Sequence, residues 1–277
     1  MLISLLLSLF ACSTKTPPVA VVTPAEEKPI EETASTAELD PTKTSGILAP
    51  HVLQTNLTHD YESIEKPLTL RARKLIINDS GVVGQHNHDT RLGYAYIASG
   101  EITEYREGSE PLIHKTGDFV SEEANIAHYW HNGSGAPARA IVFDILTPEN
   151  ALAPTISREL KLQGPTANVG IESVEVLNTL DLSQTYAGLE GKVLRARMFT
   201  LSPDAIIGQH SHRERSGYVY VVSGEIVEVR NDLDKPLTRR AGDIILEENG
   251  VEHYWENKSG AQVQLLSVDI FTPEPKE

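Results

Sequence analysis

The sequence predicts an all-β protein that is built from two similar units in tandem. The stretch from Gly84 to Ile102 returns from Gly208 to Ile226 without a gap, each residue being matched 124 positions later. Apolar residues recur with a period of two after the start of each stretch, which is typical of strands. Short apolar runs between Gly, Pro and Asn turns, with no convincing helical period, predict a β-sandwich or barrel for each unit.

The repetition sets the predicted organisation of the chain. We expect the first β-unit over residues 47–150, a linker over 151–170 and the second unit over 171–277. The linker has room for one short helix between Ala151 and Leu162. A charged hairpin is predicted in each unit, beginning at Glu104 in the first and at Glu228 in the second.

Composition and charge narrow the possible partners. The 277 residues include 39 Asp and Glu against 24 Lys and Arg, with a sequence pI near 5.1. No cluster of Lys and Arg offers a footprint for phosphates, which argues against a nucleic-acid partner. The chain has one cysteine and therefore cannot form an intrachain disulfide.

The N-terminal residues resemble a bacterial lipoprotein signal. Residues 1–11 form a short apolar run that ends directly before Cys12, the predicted lipidation site at the end of a signal over 1–12. Residues 13–46 are rich in Pro, Thr and Glu and predict a disordered tether. The resemblance implies an extracytoplasmic lipoprotein that faces the periplasm, on the outer membrane, and touches the membrane through its lipid only. An ordinary secretory peptide is the alternative, because no basic residue precedes the run and Phe10 is bulky for its position.

A His-X-His pattern opens each repeated stretch and is the main functional signal. It comprises His86 and His88 in the first unit and His210 and His212 in the second. Two residues apart on a strand, both imidazoles face the same way, roughly 7 Å apart along the backbone. One such pair alone would favour surface histidines on an edge strand. Two copies at matching positions favour a pair of metal sites instead.

A second block in each unit extends this pattern. It begins at Gly117-Asp118 and reaches His128 in the first unit, and it begins at Gly242-Asp243 and reaches His253 in the second. Together the two blocks resemble the paired motifs of the cupin family, and nearly all of residues 47–277 takes part. The resemblance implies two tandem double-stranded β-helix (jelly-roll) barrels, that is, a bicupin whose barrels form a pseudo-dimer within the chain.

The resemblance also implies one divalent transition-metal ion in each barrel. Its ligands would be the six histidines of the motifs: His86, His88, His128, His210, His212 and His253. Three neutral imidazoles suit Fe, Mn, Zn, Ni or Cu and leave coordination positions open for water or a substrate. The alternative is a barrel that keeps these histidines without holding a metal.

The sequence departs from the family pattern at the position that usually supplies a glutamate ligand. Gly93 and Gly217 stand there. Glu122 and Glu247 are the candidates to replace that carboxylate, either as a metal ligand or as a catalytic general base. Each could equally be a solvated turn residue. The next residue in each unit, Glu123 or Glu248, is expected to face outward.

Aromatic and basic residues near the motifs are candidates for the pocket. Strand parity places Trp130 and Trp255 on the same face as the third histidines, either as pocket walls or as core. Arg91 and Arg215 are either cations at the pocket rim or members of surface salt bridges. Four tyrosines are expected to pack between the barrels or sheets: Tyr94, Tyr96, Tyr218 and Tyr220.

Two classes of function fit these features. The first is a metal-dependent enzyme on a small organic molecule, either dioxygenase-like or an isomerase or lyase in which Glu122 or Glu247 moves a proton. The alternative is a module that binds a small ligand or a metal without turnover. A jelly-roll fold cannot choose between them, because it hosts many chemistries.

Overall fold

A computed structural model describes residues 40–149, 162–213 and 215–274, and the predicted all-β fold with two barrels is confirmed there. The signal, Cys12, nearly all of the tether and all but the end of the predicted linker helix lie outside these ranges, so those features stay predictions. No helix in the described ranges is long and apolar enough to span a membrane. One helical turn that the sequence did not predict, α1, covers Leu57–Asp60.

Each barrel is one antiparallel sheet of eight strands. The strands of the first barrel are β1 Ser45–Asn56, β2 Thr69–His86, β3 Gly93–Ser99, β4 Glu101–Arg106, β5 Leu112–Lys115, β6 Phe119–Glu122, β7 His128–His131 and β8 Ala138–Leu146. Those of the second barrel are β9 Val169–Asp181, β10 Val193–Ser211, β11 Gly217–Ser223, β12 Glu225–Arg230, β13 Leu237–Arg240, β14 Ile244–Glu247, β15 Glu252–Glu256 and β16 Val263–Phe271.

The sheet order is the same in both barrels. It runs β5-β4-β7-β2-β8-β3-β6 in the first, with β1 paired to β2, and β13-β12-β15-β10-β16-β11-β14 in the second, with β9 paired to β10. The long strands β2 and β10 therefore hydrogen-bond to three neighbours each. The first histidine of each His-X-His motif lies at the C-terminal end of the long strand and the second lies just beyond it, so the best-connected strand of each sheet positions the first ligand candidates.

A β-bulge precedes each His-X-His motif. Val83 pairs with Trp130 and His86 pairs with His128, so β2 contains one more residue than β7 between these two pairs. The same shift occurs before His210, which pairs with His253. A bulge re-aims the side chains that follow it. Here it brings the first and third histidines of each barrel directly opposite each other.

The two barrels share one apolar core. Buried residues of both form a single cluster, and the four tyrosines predicted to lie between the barrels all belong to it. The rings of Tyr96 and Tyr220 lie 5.9 Å apart across the boundary, and Phe143 lies 6.2 Å from Tyr218. Each barrel also has its own interior cluster, which contains Trp130 or Trp255.

Three residues other than glycine have a left-handed backbone near the motifs. Ser80 and Asp204, which precede the His-X-His motifs by six residues, have φ angles of 61° and 62°. Asn125 adopts a φ of 63° in the second block of the first barrel. Short polar side chains tolerate this conformation better than other non-glycine residues. The backbone near the motifs therefore adopts this conformation at three positions without a glycine.

Candidate metal centre

Each barrel brings four potential metal ligands together at one point. The first group comprises His86, His88, Glu122 and His128, and the second comprises His210, His212, Glu247 and His253. Within each group the four ligand atoms lie within 4.8 Å of one another. All except His86 and His210 are buried. The structure thus gathers all six predicted histidines and both candidate carboxylates into two equivalent groups.

The imidazoles of the first group converge through their Nε2 atoms. His88 and His128 have an Nε2–Nε2 distance of 3.1 Å, and the His128 Nε2 lies 3.3 Å from Glu122 Oε2. Glu122 Oε2 also contacts His88 Nε2 directly. In the second group, His253 Nε2 lies 3.2 Å from that of His210 and 3.1 Å from that of His212.

The Nδ1 atoms explain why the Nε2 atoms are free to bind a cation. Those of His86 and His88 face the carbonyl oxygens of Gly84 and Arg91, at 2.8 and 2.9 Å. The Nδ1 of His128 lies 2.5 Å from Glu104. Acceptors at these positions require Nδ1–H, so each neutral ring has its lone pair on Nε2. Nitrogen lone pairs that converge on one carboxylate oxygen fit a divalent transition-metal ion.

Glu122 occupies the place of the carboxylate that Gly93 lacks. Gly93 on β3 pairs directly with Glu122 on β6, and Gly217 pairs with Glu247 in the same way. A Cβ atom at Gly93 would lie 2.2 Å from the carbonyl oxygen of Phe143, so a glutamate cannot stand there without moving the backbone. The neighbouring strand supplies the carboxylate instead. Glu122 and Glu247 are both buried, so neither is a solvated turn residue.

The glutamates that follow Glu122 and Glu247 differ in their exposure. Glu123 is exposed, as expected. Glu248 instead forms a salt bridge with Arg230, and only 18% of its side chain is exposed. Glu248 is thus partly covered by this contact, and neither Glu123 nor Glu248 is among the residues that line the pockets beside the ligand groups.

The two predicted hairpins are present, formed by β4 with β5 and by β12 with β13. The glutamate that begins each of them lies behind the third histidine, a position that the sequence did not predict. Glu104 and Glu228 are fully buried. Glu228 lies 3.0 Å from the Nδ1 atom of His253 and accepts hydrogen bonds from Arg239. The available signal was strand parity, because Glu104 follows the buried Ile102 by two positions on β4.

Burial and contacts within the first group shift the pKa values of its members in different directions. Burial would raise the pKa of Glu122, but hydrogen bonds to His128 and His88 lower it to about 2. Burial lowers the pKa of His86 to about 4. Burial would also lower the pKa of His128, but hydrogen bonds to Glu104 and Glu122 raise it to about 9. Without a metal ion, this raised pKa favours a second proton on the Nε2 of His128, and a bound metal ion would displace it.

A pocket opens beside each group. The first has a volume of about 340 Å³ and the second about 320 Å³. Trp130 lines the first and Trp255 the second, and both are also nearly buried, so the predicted roles as pocket wall and as core both apply. The indole Nε1–H of Trp130 has no hydrogen-bond partner among the described residues.

Two arginines line each pocket. They are Arg73 and Arg91 in the first and Arg197 and Arg215 in the second. Arg73 lies 3.1 Å from the buried Asp144, whereas Arg91 lies 3.8 Å from it and keeps 32% of its side chain exposed. The pocket and salt-bridge alternatives for Arg91 therefore both hold. Arg73 was not predicted, although it stands in a repeated Arg-Ala-Arg run whose two arginines share one strand face.

Comparison with known proteins identifies the family. Residues 75–144 and 197–269 match the family described as Cupin domain, and together they cover just over half of the chain. The protein is a cupin. Since each barrel carries its own match, it is a bicupin, and the first match contains the complete first donor group.

One curated relative of this bicupin is the oxalate-binding protein of Thermotoga maritima. It is 32% identical over 79 residues, which make up 27% of this chain and 64% of the relative. The bicupin therefore spans less than two thirds of the relative's length.

Solved structures share the bicupin's fold at low identity. A variant of the salicylate 1,2-dioxygenase from Pseudoaminobacter salicylatoxidans, in complex with gentisate, gives a TM-score of 0.53 at 13% identity, covering 82% of this chain and 83% of that one. Procruciferin, the 11S globulin of Brassica napus, gives 0.51 at 11% identity, covering 84% and 88%. These likenesses show the fold alone, and one fold hosts unrelated activities.

The contribution of the cupin's relocated carboxylate can be measured directly. We expect Glu122→Gln to weaken metal binding in the first barrel by about 10–100-fold, because an amide oxygen is a weaker ligand and carries no charge. Isothermal titration with Zn²⁺ or Co²⁺ measures the affinity. Glu123→Gln, an exposed neighbour of the same chemistry, is the matched control. Equal affinities of the two variants would show that the first centre consists of three histidines alone.

Proposed function

We propose that each barrel holds one divalent transition-metal ion and binds a small organic carboxylate beside it, as a metal-dependent enzyme. The observation that carries this proposal is the pair of arginines next to each four-ligand group. In the first pocket these are Arg73 and Arg91, and the Nε atom of Arg73 is buried without a hydrogen-bond partner among the described residues. Buried donors without partners are rare in folded proteins, and an anionic ligand would satisfy this one.

The remaining lining of the first pocket suits a small organic body. Leu75, Val83 and Val142 provide apolar walls, and the Trp130 indole N–H offers one further donor. The arginines would orient the carboxylate, while the apolar walls would exclude water from the rest of the ligand. A bound metal ion would supply Lewis acidity or, if redox-active, one-electron chemistry. The oxalate-binding relative supports the carboxylate assignment, since oxalate is a small dicarboxylate.

The position of Glu122 favours some reactions over others. Among the described residues that line the first pocket, Glu122 is the only carboxylate, and Glu247 is the only one in the second. Each contacts the ligand histidines through Oε2, so it is better placed as a ligand than as a base. An isomerase or lyase needs a group that moves a proton. We therefore favour oxygenase-type chemistry, and binding without turnover is the second candidate.

The proposal is tested with the metal-loaded protein and matched probes. We expect oxalate, salicylate or gentisate to bind, and uncharged oxamide not to bind. Arg91→Gln should weaken carboxylate binding by about 10–100-fold, the range expected when a charged hydrogen-bonding partner is lost. The exposed Arg139 on β8 provides the control, Arg139→Gln, which should have no effect. Equal binding of oxalate and oxamide would contradict the anion site.

Turnover separates the two candidate functions. The protein loaded with Fe²⁺ or Mn²⁺ is incubated with each carboxylate that binds, and oxygen uptake and ligand loss are followed together. Oxygen uptake that matches ligand loss supports the enzyme. Saturable binding with no loss of any bound carboxylate favours the binding module.

A further inference from the structure

One peptide group in the first barrel connects a metal-ligand candidate to the other barrel. The carbonyl oxygen of Arg91 lies 2.9 Å from the His88 Nδ1, which donates to it. The same peptide group continues into Leu92, whose backbone N–H donates to the hydroxyl of Tyr186 over 2.9 Å. The two ends of this peptide thus bind His88 on one side and a residue of the second barrel on the other.

Tyr186 is held firmly in this position. It lies between β9 and β10 of the second barrel, and only 3% of it is exposed. Its hydroxyl donates to the carbonyl oxygen of Ile145 at 3.1 Å while it accepts from Leu92. Ile145 of β8 and Leu92 of the loop after His88 therefore both hydrogen-bond to Tyr186, which belongs to the second barrel.

We propose that Tyr186 is a positioning residue for the metal centre of the opposite barrel. By fixing the plane of the Arg91–Leu92 peptide, it fixes the acceptor of the His88 Nδ1–H, and this acceptor sets the direction of the His88 Nε2. Groups that hold the far nitrogen of a histidine ligand in this way tune metal affinity. The inference rests on the proposed function, because it assumes that His88 binds a metal.

The second barrel provides a matched comparison, because its corresponding connection is incomplete. Tyr61 of the first barrel, also 3% exposed, accepts a hydrogen bond from the Ser216 N–H at 3.2 Å. The His212 Nδ1 lies 3.4 Å from the Arg215 Nη2, and among the described residues no hydrogen bond joins it to the Arg215 carbonyl. Tyr61 therefore contacts the equivalent loop without orienting a histidine through its peptide.

The test uses full-length chains with one working site. His210→Ala leaves the first centre and His86→Ala leaves the second, and Co²⁺ is titrated while its visible absorption is recorded. In the first background, Tyr186→Phe should raise the Co²⁺ dissociation constant about tenfold and change the absorption bands. In the second background, Tyr61→Phe should raise it by less than about threefold, and Tyr186→Phe should leave it unchanged.

A packing variant separates positioning from general stability. Leu189→Ala removes a fully buried side chain near Tyr186 but keeps the tyrosine hydroxyl, so it should lower the unfolding temperature without changing the Co²⁺ bands of the first site. Unchanged affinity and bands in Tyr186→Phe would overturn the inference, as would equal losses at both sites. If the parent single-site chains do not bind Co²⁺, the proposed function fails instead.

Discussion

A chain with both His86→Ala and His210→Ala should bind no metal ion, whereas the unmodified chain should bind two. Each single variant should bind one. Each replaced imidazole is one of the four converging ligands of its group. In the first group the carboxylate of Glu122 contacts both of the remaining histidines. Elemental analysis after reconstitution and removal of loosely bound metal measures the stoichiometry.

The same experiment tests whether the two centres are independent. The replaced residues lie in different barrels, so their effects on metal content should add. Unmodified protein that retains fewer than about one ion per chain after reconstitution would contradict the two-site assignment. A single variant that loses both ions would show instead that the centres depend on each other more strongly than their separate ligand groups suggest.

Glu104→Gln should cause the largest loss of stability among single substitutions near the site. The Glu104 carboxylate is fully buried and accepts hydrogen bonds from Arg106, His114 and His128 at 2.5–3.1 Å. Removing one member of a buried charged network leaves its partners uncompensated, which costs about 3–5 kcal/mol. Chemical denaturation measures this change. Metal affinity of the first barrel should also fall, because His128 Nδ1–H then donates to a neutral amide instead of a charged carboxylate.

An exposed glutamate on the same strand provides the control for Glu104→Gln. Glu101→Gln on the same strand breaks only an exposed pair with Lys115 and should change the free energy of unfolding by less than about 1 kcal/mol.

Burial would raise the pKa of Glu104, but hydrogen bonds from His114, His128 and Arg106 lower it well below the ordinary value of 4.5. Its stabilisation is thus present above about pH 4.5 and is lost as the pH falls towards the depressed pKa. The difference between Glu104→Gln and the unmodified chain should shrink on acidification, and a pH-independent difference would contradict this account.

The fold and the histidine ligands could be predicted because their signals are local and repeated. His86 and His88 stand two residues apart on one strand, and the whole motif returns at His210 with its neighbours intact. Strand parity likewise placed the interbarrel tyrosines, since period-two alternation survives wherever a strand is regular. For these residues, the spacing along the sequence is enough to predict which side chains lie on the same face.

The remaining parts of the site depend on strand register, which spacing does not encode. Glu122 could be named as a candidate, but its role stayed open between a ligand and a solvated turn residue. It reaches the centre because β6 pairs with β3 so that Glu122 lies opposite Gly93, and nothing within either segment reveals this pairing. Glu104 stands beside charged residues that make its strand look solvated, although β4 covers the third histidine. Tyr186 acts across the boundary between barrels, which no pattern within one repeat can show.

Each barrel contributes a tyrosine that accepts a hydrogen bond from the other barrel, and these contacts matter when the protein is dilute. Two separate single-barrel chains would have to associate before Leu92 and Ser216 met their tyrosine partners, so these hydrogen bonds would depend on protein concentration. In this chain both barrels belong to one continuous polypeptide, and each encounters the other at a fixed effective concentration. The interbarrel hydrogen bonds therefore persist at low protein concentration, at which two separate barrels would dissociate.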